Sequence, residues 1–361
     1  MKQNNTQNQI NTLKQRLKTS SVISLYLIVL IIVALLADPY TNFVSKHLIS
    51  DKISTAFIFY NVFIFLVGPF SYLIANELLS GFLNAKDYKI INILALCWLM
   101  IIPAYAFAYI FGVHQYFNNL FNLNDNKWKI YGLIVGVLFT GLLIYSLSYL
   151  CINKKLKDNN KSSYFATVTA LVFFFYTAMY YIVATRTYNV FIFLLLIPIL
   201  TDSFAYFCGS LFGKHHFSKS SPNKTIEGCV SGVVMTTVIV TLMQFMFYFY
   251  SDNALHATYL NQFIGWQLDN TMNRSIYFYW YFICAVIVGV LSILAICGDL
   301  YFSKVKRSIN IKDFGKLLPG HGGILDRIDS WIYVITAYVG CSIIFALFFN
   351  WYGILQNIYI I

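Results

Sequence analysis

The chain alternates between apolar runs long enough to cross a membrane and short polar stretches that carry its charge. Crossing ~30 Å of hydrocarbon takes about 20 apolar residues in a helix. Runs of this kind occupy 21–37, 55–76, 90–111, 130–152, 164–185, 188–212, 228–250, 276–300 and 331–352. Backbone at that depth must satisfy its own hydrogen bonds, so each run is expected to be a helix. The expected fold class is all-α: a polytopic integral membrane protein with about nine transmembrane helices. The first run is short, and only Arg186 and Thr187 separate the fifth from the sixth.

The polar stretches suggest an orientation. With the N-terminus inside, the inside segments hold 19 of the 25 Lys and Arg residues and the outside segments hold 6. Basic residues in short loops stay on the cytoplasmic side. The N-terminus is therefore expected to be cytoplasmic and the C-terminus outside. The expected organisation is a polar cytoplasmic tail at 1–20, N-terminal transmembrane helices at 21–187, and a C-terminal region at 188–361. That last region carries cytoplasmic loops at 213–228 and 301–330 and is the expected seat of the chemistry. The tail, rich in Asn, Gln and Lys, suits an anionic inner leaflet. The outer loop at 251–275, with Trp266, is given no chemistry.

Composition agrees with a membrane chain: 59% of residues are hydrophobic and 11% charged, against about 25% charged in a soluble domain. The net charge of +11 sits in short loops between apolar runs, so no nucleic-acid partner is expected. The seven cysteines are scattered, with no C-x-x-C pair. They read as small hydrophobes, not as a disulfide frame or a zinc site. The polar first 20 residues and the lack of a small-residue cleavage pattern argue against a cleavable signal.

Candidate chemistry concentrates in two inner segments. The stretch 297–330 holds Asp299, Asp313, Asp326 and Asp329, four of the chain's 14 acidic residues. It also holds Lys304, Lys306, Arg307, Lys312, Lys316 and Arg327, with Gly320, Gly322 and Gly323 around His321. Carboxylates hold a divalent cation, cations hold phosphates, and glycines let backbone approach a ligand. Asp299 is expected at the C-terminal end of the eighth helix, where unpaired carbonyls disfavour a carboxylate. A divalent metal or a Lys is therefore expected beside it. Asp326 and Asp329 share one face if the ninth helix begins near Leu325. With Asp299 they offer a hard oxygen set suited to Mg2+. Lys306 and Arg307 follow Asp299 by two turns, and Arg327 is a further candidate to hold phosphate.

The other segment runs from the sixth run into its loop. Asp202 lies inside apolar sequence, where an ionisable group costs at least a few kcal/mol and by default marks a functional site with a partner. Gly209 and Gly213 suit close helix packing and do not form a Walker A motif. His215 and His216 lack a third metal ligand and read as solvated. Ser221, Lys224, Thr225 and Glu227 supply hydroxyls, a cation and an anion just before the seventh run. An N-cap and turn is the alternative reading.

These residues resemble a known family. Ser303-x-Val305-Lys306-Arg307-x4-Lys312-Asp313-x-Gly315-x2-Leu318-Pro319-x-His321-Gly322-Gly323-Ile324-x-Asp326-Arg327-Ile328-Asp329 looks like the full 27-residue signature of the phosphatidate cytidylyltransferases, or CDP-diacylglycerol synthases. Asp202, Ala205, Tyr206, Gly209, Gly213, Lys214, Ser221, Pro222, Lys224, Thr225, Glu227 and Gly228 are similar to the family as well. Ser210, Asn223 and Ile226 depart from its usual residues. The resemblance covers roughly 190–352; residues 1–150 match by hydropathy only.

The resemblance implies that CTP and phosphatidate give CDP-diacylglycerol and pyrophosphate with Mg2+, which a monovalent cation such as K+ can accompany. It implies metal ligation by Asp299, Asp326 and Asp329, with Lys306 beside them in the catalytic set. Ser221, Lys224, Thr225, Ser303, Arg307, His321, Gly322, Gly323, Arg327 and Asp202 are the expected substrate-binding residues. The expected setting is the cell membrane, with the active site facing the cytoplasm and a homodimer allowed. Two other readings stay open: a CTP-dependent enzyme with another lipid-phosphate acceptor, and an ion-coupled transporter using Asp202 and Asp299. CDP-alcohol phosphotransferases are disfavoured, because their D-G-x2-A-R pattern is absent.

Overall fold

The computed structural model describes residues 2–37, 52–83, 145–147, 149–150, 152–154, 158–185, 188–218, 221–250, 274–315, 317–318 and 322–358. In chain order these carry α1 (Lys2–Ala37), α2 (Lys52–Phe82), α3 (Asn159–Thr185) and α4 (Tyr188–Phe212). A short ribbon follows, β1 (His216–Ser218) and β2 (Ser221–Thr225), and then α5 (Ile226–Tyr250), α6 (Arg274–Ser308) and α7 (Leu325–Ile358). Among the described residues, six helical stretches are long and apolar enough to cross a membrane: Lys18–Leu36, Phe65–Phe82, Asn159–Val183, Asn189–Phe212, Ile226–Met246 and Tyr281–Ser308. The 34-residue α7 covers the ninth expected run. The run at 90–111 and most of the run at 130–152 lie outside the described residues. The protein is an all-α, polytopic membrane protein.

Three local features differ from the expectation. Helix α1 starts at Lys2, so the polar tail extends the first apolar helix. The antiparallel ribbon pairs His216 with Thr225 and Ser218 with Ser221, with an irregularity between 216 and 218. Helix α6 runs to Ser308, beyond the expected end at residue 300. Phe302 and Val305, three residues apart, are fully buried and keep the helix's apolar face going. Lys306 and Arg307 lie in the last turn, where cations meet the helix's unpaired carbonyls favourably.

The chain divides into two compact units. One gathers Met1–Ile28, Asn61–Tyr180 and Val305–Arg327; the other gathers Val29–Tyr60, Tyr181–Lys304 and Ile328–Ile361. In the first unit, aromatic side chains join α1, α2 and α3. Tyr26 stacks on Phe70 with centroids 4.5 Å apart, and its hydroxyl donates to the Leu66 carbonyl at 2.9 Å. Phe63 meets Tyr180 edge-on at 6.5 Å, and Phe82 meets Phe165 at 5.3 Å. Such pairs add ~0.5–1.5 kcal/mol each beyond the area they bury.

In the second unit, small residues bring α4 and α5 together. A Cβ on Gly232 would come within 2.7 Å of the Thr201 carbonyl, and one on Gly228 within 2.9 Å of Gly209 Cα. Thr201 donates to the Ile197 carbonyl at 2.7 Å and lies 3.3 Å from the Thr236 hydroxyl. Helices in lipid associate through such close packing and hydrogen bonds, because hydrocarbon gives them no hydrophobic drive to pair. The Gly209–Gly213 spacing thus serves packing, as read from the sequence. Further along, Tyr333 of α7 lies against Gly298 of α6 and within 5.9 Å of the Tyr301 ring.

Gly228→Ala tests the α4–α5 contact. Overpacking there is expected to cost ~1–3 kcal/mol, read as a lower thermal midpoint of the detergent-solubilised protein. Gly340→Ala, where an added Cβ meets nothing within 4 Å, is expected to leave the midpoint at or above wild type.

Candidate functional site

The site of the second unit is built outward from Thr225. This residue ends β2 and caps α5: its hydroxyl accepts the Gly228 N–H at 3.2 Å. The N-cap reading of the loop is therefore what the structure shows for Thr225, which is buried against Gly209 of α4 and Gly213 just past its end. Glu227, in the first turn of α5, clamps the other side of the ribbon. Its Oε2 accepts the N–H groups of Lys214 and His215 at 3.1 and 3.2 Å, and its Oε1 lies 2.6 Å from His215 Nδ1. His215 thus pairs with a carboxylate in the first turn of α5.

Lys224, immediately before Thr225, is set in place by this clamp. Its Nζ lies 2.5 Å from Asp299 Oδ2 on α6 and 3.6 Å from Asp202 Oδ1 on α4. The pairing is one of opposite charges. Burial on its own would favour the neutral amine. The Asp299 and Asp202 carboxylates outweigh it and raise the Lys224 pKa above the ordinary lysine value. Lys224 therefore stays an ammonium at physiological pH.

This geometry corrects one expectation. Asp299 is not at a helix end, because α6 continues for nine residues beyond it to Ser308. The unfavourable carbonyl end of the helix is not what calls for a cation there; a carboxylate within a membrane-spanning helix is. The cation found is Lys224. Asp329, in the first turns of α7, belongs to the same unit; it is 6% exposed, and its Oδ1 accepts the Ser330 N–H at 2.8 Å.

A different cluster occupies the first unit. Lys306 Nζ donates to Asp326 Oδ1 at 2.9 Å, with both side chains almost fully buried. The same ammonium lies 5.8 Å from the Phe314 ring centroid. Asp326 Oδ2 accepts the N–H groups of Phe314 at 2.9 Å and Gly323 at 3.0 Å. Both oxygens of Asp326 are therefore engaged. Gly322 needs its missing side chain: its φ is +85°, and its carbonyl accepts the Leu318 N–H at 2.9 Å.

Sequence reasoning missed Glu77. It is a buried carboxylate on α2, 5% exposed. Its Oε1 accepts the Ile324 N–H at 3.0 Å and its Oε2 the Leu325 N–H at 2.9 Å, at the start of α7. The signal was there to read: Glu77 directly follows the run at 55–76, and Leu78, Leu79, Phe82 and Leu83 carry the apolar sequence on past it.

The structure brings Asp202, Lys224 and Asp299 together in one unit, and Lys306, Asp326, Gly322 and Gly323 in the other. Ser221 pairs through its backbone with Ser218. Ser303 is half-buried on α6, while Arg307 and Arg327 are exposed. Arg307 Nη1 reaches the Ile311 carbonyl at 3.5 Å. His321 lies outside the described residues.

Comparison with known proteins adds family to geometry. Residues 44–345 match the cytidylyltransferase family. The chain is 36% identical over 143 residues to a phosphatidate cytidylyltransferase of Helicobacter pylori, across 39% of this chain and 42% of that protein. It is 30% identical over 197 residues to one of Staphylococcus haemolyticus, across 53% of this chain and 65% of that protein. A Staphylococcus epidermidis phosphatidate cytidylyltransferase is 32% identical over 197 residues, with the same coverage. The chain thus spans less than two thirds of the length of these relatives. With more than half of its own length matched by that family, this chain belongs to the cytidylyltransferase family.

Proposed function

We propose that the protein transfers the cytidylyl group of CTP to phosphatidate, giving CDP-diacylglycerol and pyrophosphate. Family membership supports this, and so do the names of its relatives. The observation that carries it is the Lys224 ammonium lodged against two carboxylates on membrane-spanning helices. Such a cluster suits a polyanionic substrate and its cation at a lipid surface.

The chemistry asks little of a general base, because a phosphatidate phosphate is already anionic near neutral pH. One of its oxygens attacks the α-phosphorus of CTP, the bond to the bridging α–β oxygen breaks, and pyrophosphate leaves. The difficulty is bringing two polyanions together, which positioning and charge solve. Lys224, Lys306, Arg307 and Arg327 are the residues proposed to hold phosphate oxygens. Gly322, in a conformation open to glycine, and Gly323 let backbone come close to a ligand. In this reading CTP arrives from the cytoplasm and the lipid enters sideways from the inner leaflet.

The donor set fits Mg2+. Asp202 and Asp299 offer hard oxygens that already share one cation. Among the described residues no three His, Cys, Asp or Glu side chains form a ready cage. Mg2+ commonly takes one or two carboxylates and completes its shell with water and substrate phosphates. Asp299 and Asp329 would hold it. Asp326, the third carboxylate of the family pattern, belongs to the other unit, where its oxygens meet Lys306 and the backbone. When bound, Mg2+ supplies neutralisation of the nucleotide phosphates and the leaving pyrophosphate.

Three outcomes are expected. Purified protein given CTP, Mg2+ and a panel of lipid phosphates should form CDP-diacylglycerol from phosphatidate, stop when EDTA is added, and resume with excess Mg2+; transfer to a different acceptor alone, or to none, rejects the reading. Asp299→Asn should lower kcat by roughly 100-fold while membrane insertion stays normal, and wild-type turnover in a labelled-CTP assay would refute its role. Lys224→Met keeps the aliphatic stem but removes the ammonium; kcat/KM should fall at least ~10-fold, about 1.4 kcal/mol of transition-state stabilisation.

A further inference from the structure

We propose that Glu77 is a positioning residue: from α2 it holds the glycine-rich turn and the start of α7 in the one arrangement that sets Asp326 against Lys306. In its catalytic part this rests on the cytidylyltransfer reading; the part that concerns the turn does not.

The argument starts from what a helix start requires. The first N–H groups of a helix have no partner inside it. At α7 the residues before the helix are Gly322, Gly323 and Ile324, none of which has a side-chain acceptor to cap it. Glu77 fills that role from a distant part of the chain, one carboxylate oxygen on each of the Ile324 and Leu325 N–H groups. A carboxylate is also the charge that a helix N-terminus favours.

Glu77 also fills the space left by two glycines. A Cβ on Gly323 would lie 2.5 Å from Glu77 Oε2 and 2.8 Å from Gly315 N. A Cβ on Gly315 would overlap the same carboxyl group. Both glycines are thus absent side chains that make room for one buried carboxylate. Their neighbours are the groups that fix Asp326: Phe314 N and Gly323 N both donate to Asp326 Oδ2, which leaves Oδ1 for Lys306. Glu77 therefore sets the turn, the turn orients Asp326, and Asp326 pairs with Lys306.

The test uses the full-length protein in detergent micelles. Glu77→Leu removes both acceptors while keeping the side chain apolar enough for a membrane helix. Glu77→Gln keeps the size and one acceptor. Hydrogen exchange followed by mass spectrometry on peptides covering 322–328 should show lost protection in Glu77→Leu and a smaller loss in Glu77→Gln, with α4 and α5 peptides unchanged. In the CTP and phosphatidate assay, kcat should fall at least ~10-fold in Glu77→Leu and less in Glu77→Gln, with KM for CTP within ~3-fold of wild type. A purely structural role would instead lower the thermal midpoint and leave kcat of the folded fraction unchanged, which overturns the proposal. So does unchanged exchange at 322–328 in both variants. If Glu77→Leu loses protection along the whole chain, Glu77→Gln decides by the same local comparison. If the wild type transfers no cytidylyl group, the functional reading fails, and exchange alone decides whether Glu77 holds the turn.

Discussion

A single ammonium between two carboxylates governs the second unit. Asp202 and Lys224 come from α4 and from β2 soon after it, and Asp299 from α6, 75 residues beyond Lys224. A lone charge on a membrane-spanning helix is costly, and its partner is what makes it tolerable. The helices and the ribbon therefore constrain one another: a carboxylate on either helix lacks its counter-charge until the ribbon delivers Lys224. The same arrangement suits a reaction whose main obstacle is repulsion between anions.

Delivering Lys224 depends on backbone that can come close. Thr225 fits against Gly209 and Gly213 because those positions lack side chains, and it caps α5 with the same hydroxyl. Glu227 fixes the far side of the ribbon through the N–H groups of Lys214 and His215. Residues that look like separate features along the chain, a small-residue pair, a cap and an acidic side chain, thus act together on the residue between them.

The first unit follows the same physical rule with different parts. Asp326 and Glu77 are buried acceptors, and each oxygen of each carboxylate meets a donor. Most of these donors are backbone N–H groups of the turn and the helix start. The conformation of the turn and the ionic groups beside it are therefore coupled. Glycines at 315 and 323 leave the volume that the Glu77 carboxyl group occupies.

Much of this was legible in the sequence, because hydrophobic length and charge placement act locally. The apolar runs determined which segments become helices. The charged and glycine residues between 202 and 228 and between 299 and 329 marked the segments in which the structure pairs its charges. Tertiary structure decided the pairings, since a partner is selected by proximity and not by distance along the chain. It placed Lys224, and not a helix-end field, beside Asp299; it carried α6 past residue 300 because Phe302 and Val305 stay buried. It also brought Glu77 to Ile324 and Leu325, across about 250 residues. No local pattern encodes that contact, because the N–H groups of a helix start donate to any carboxylate the fold delivers.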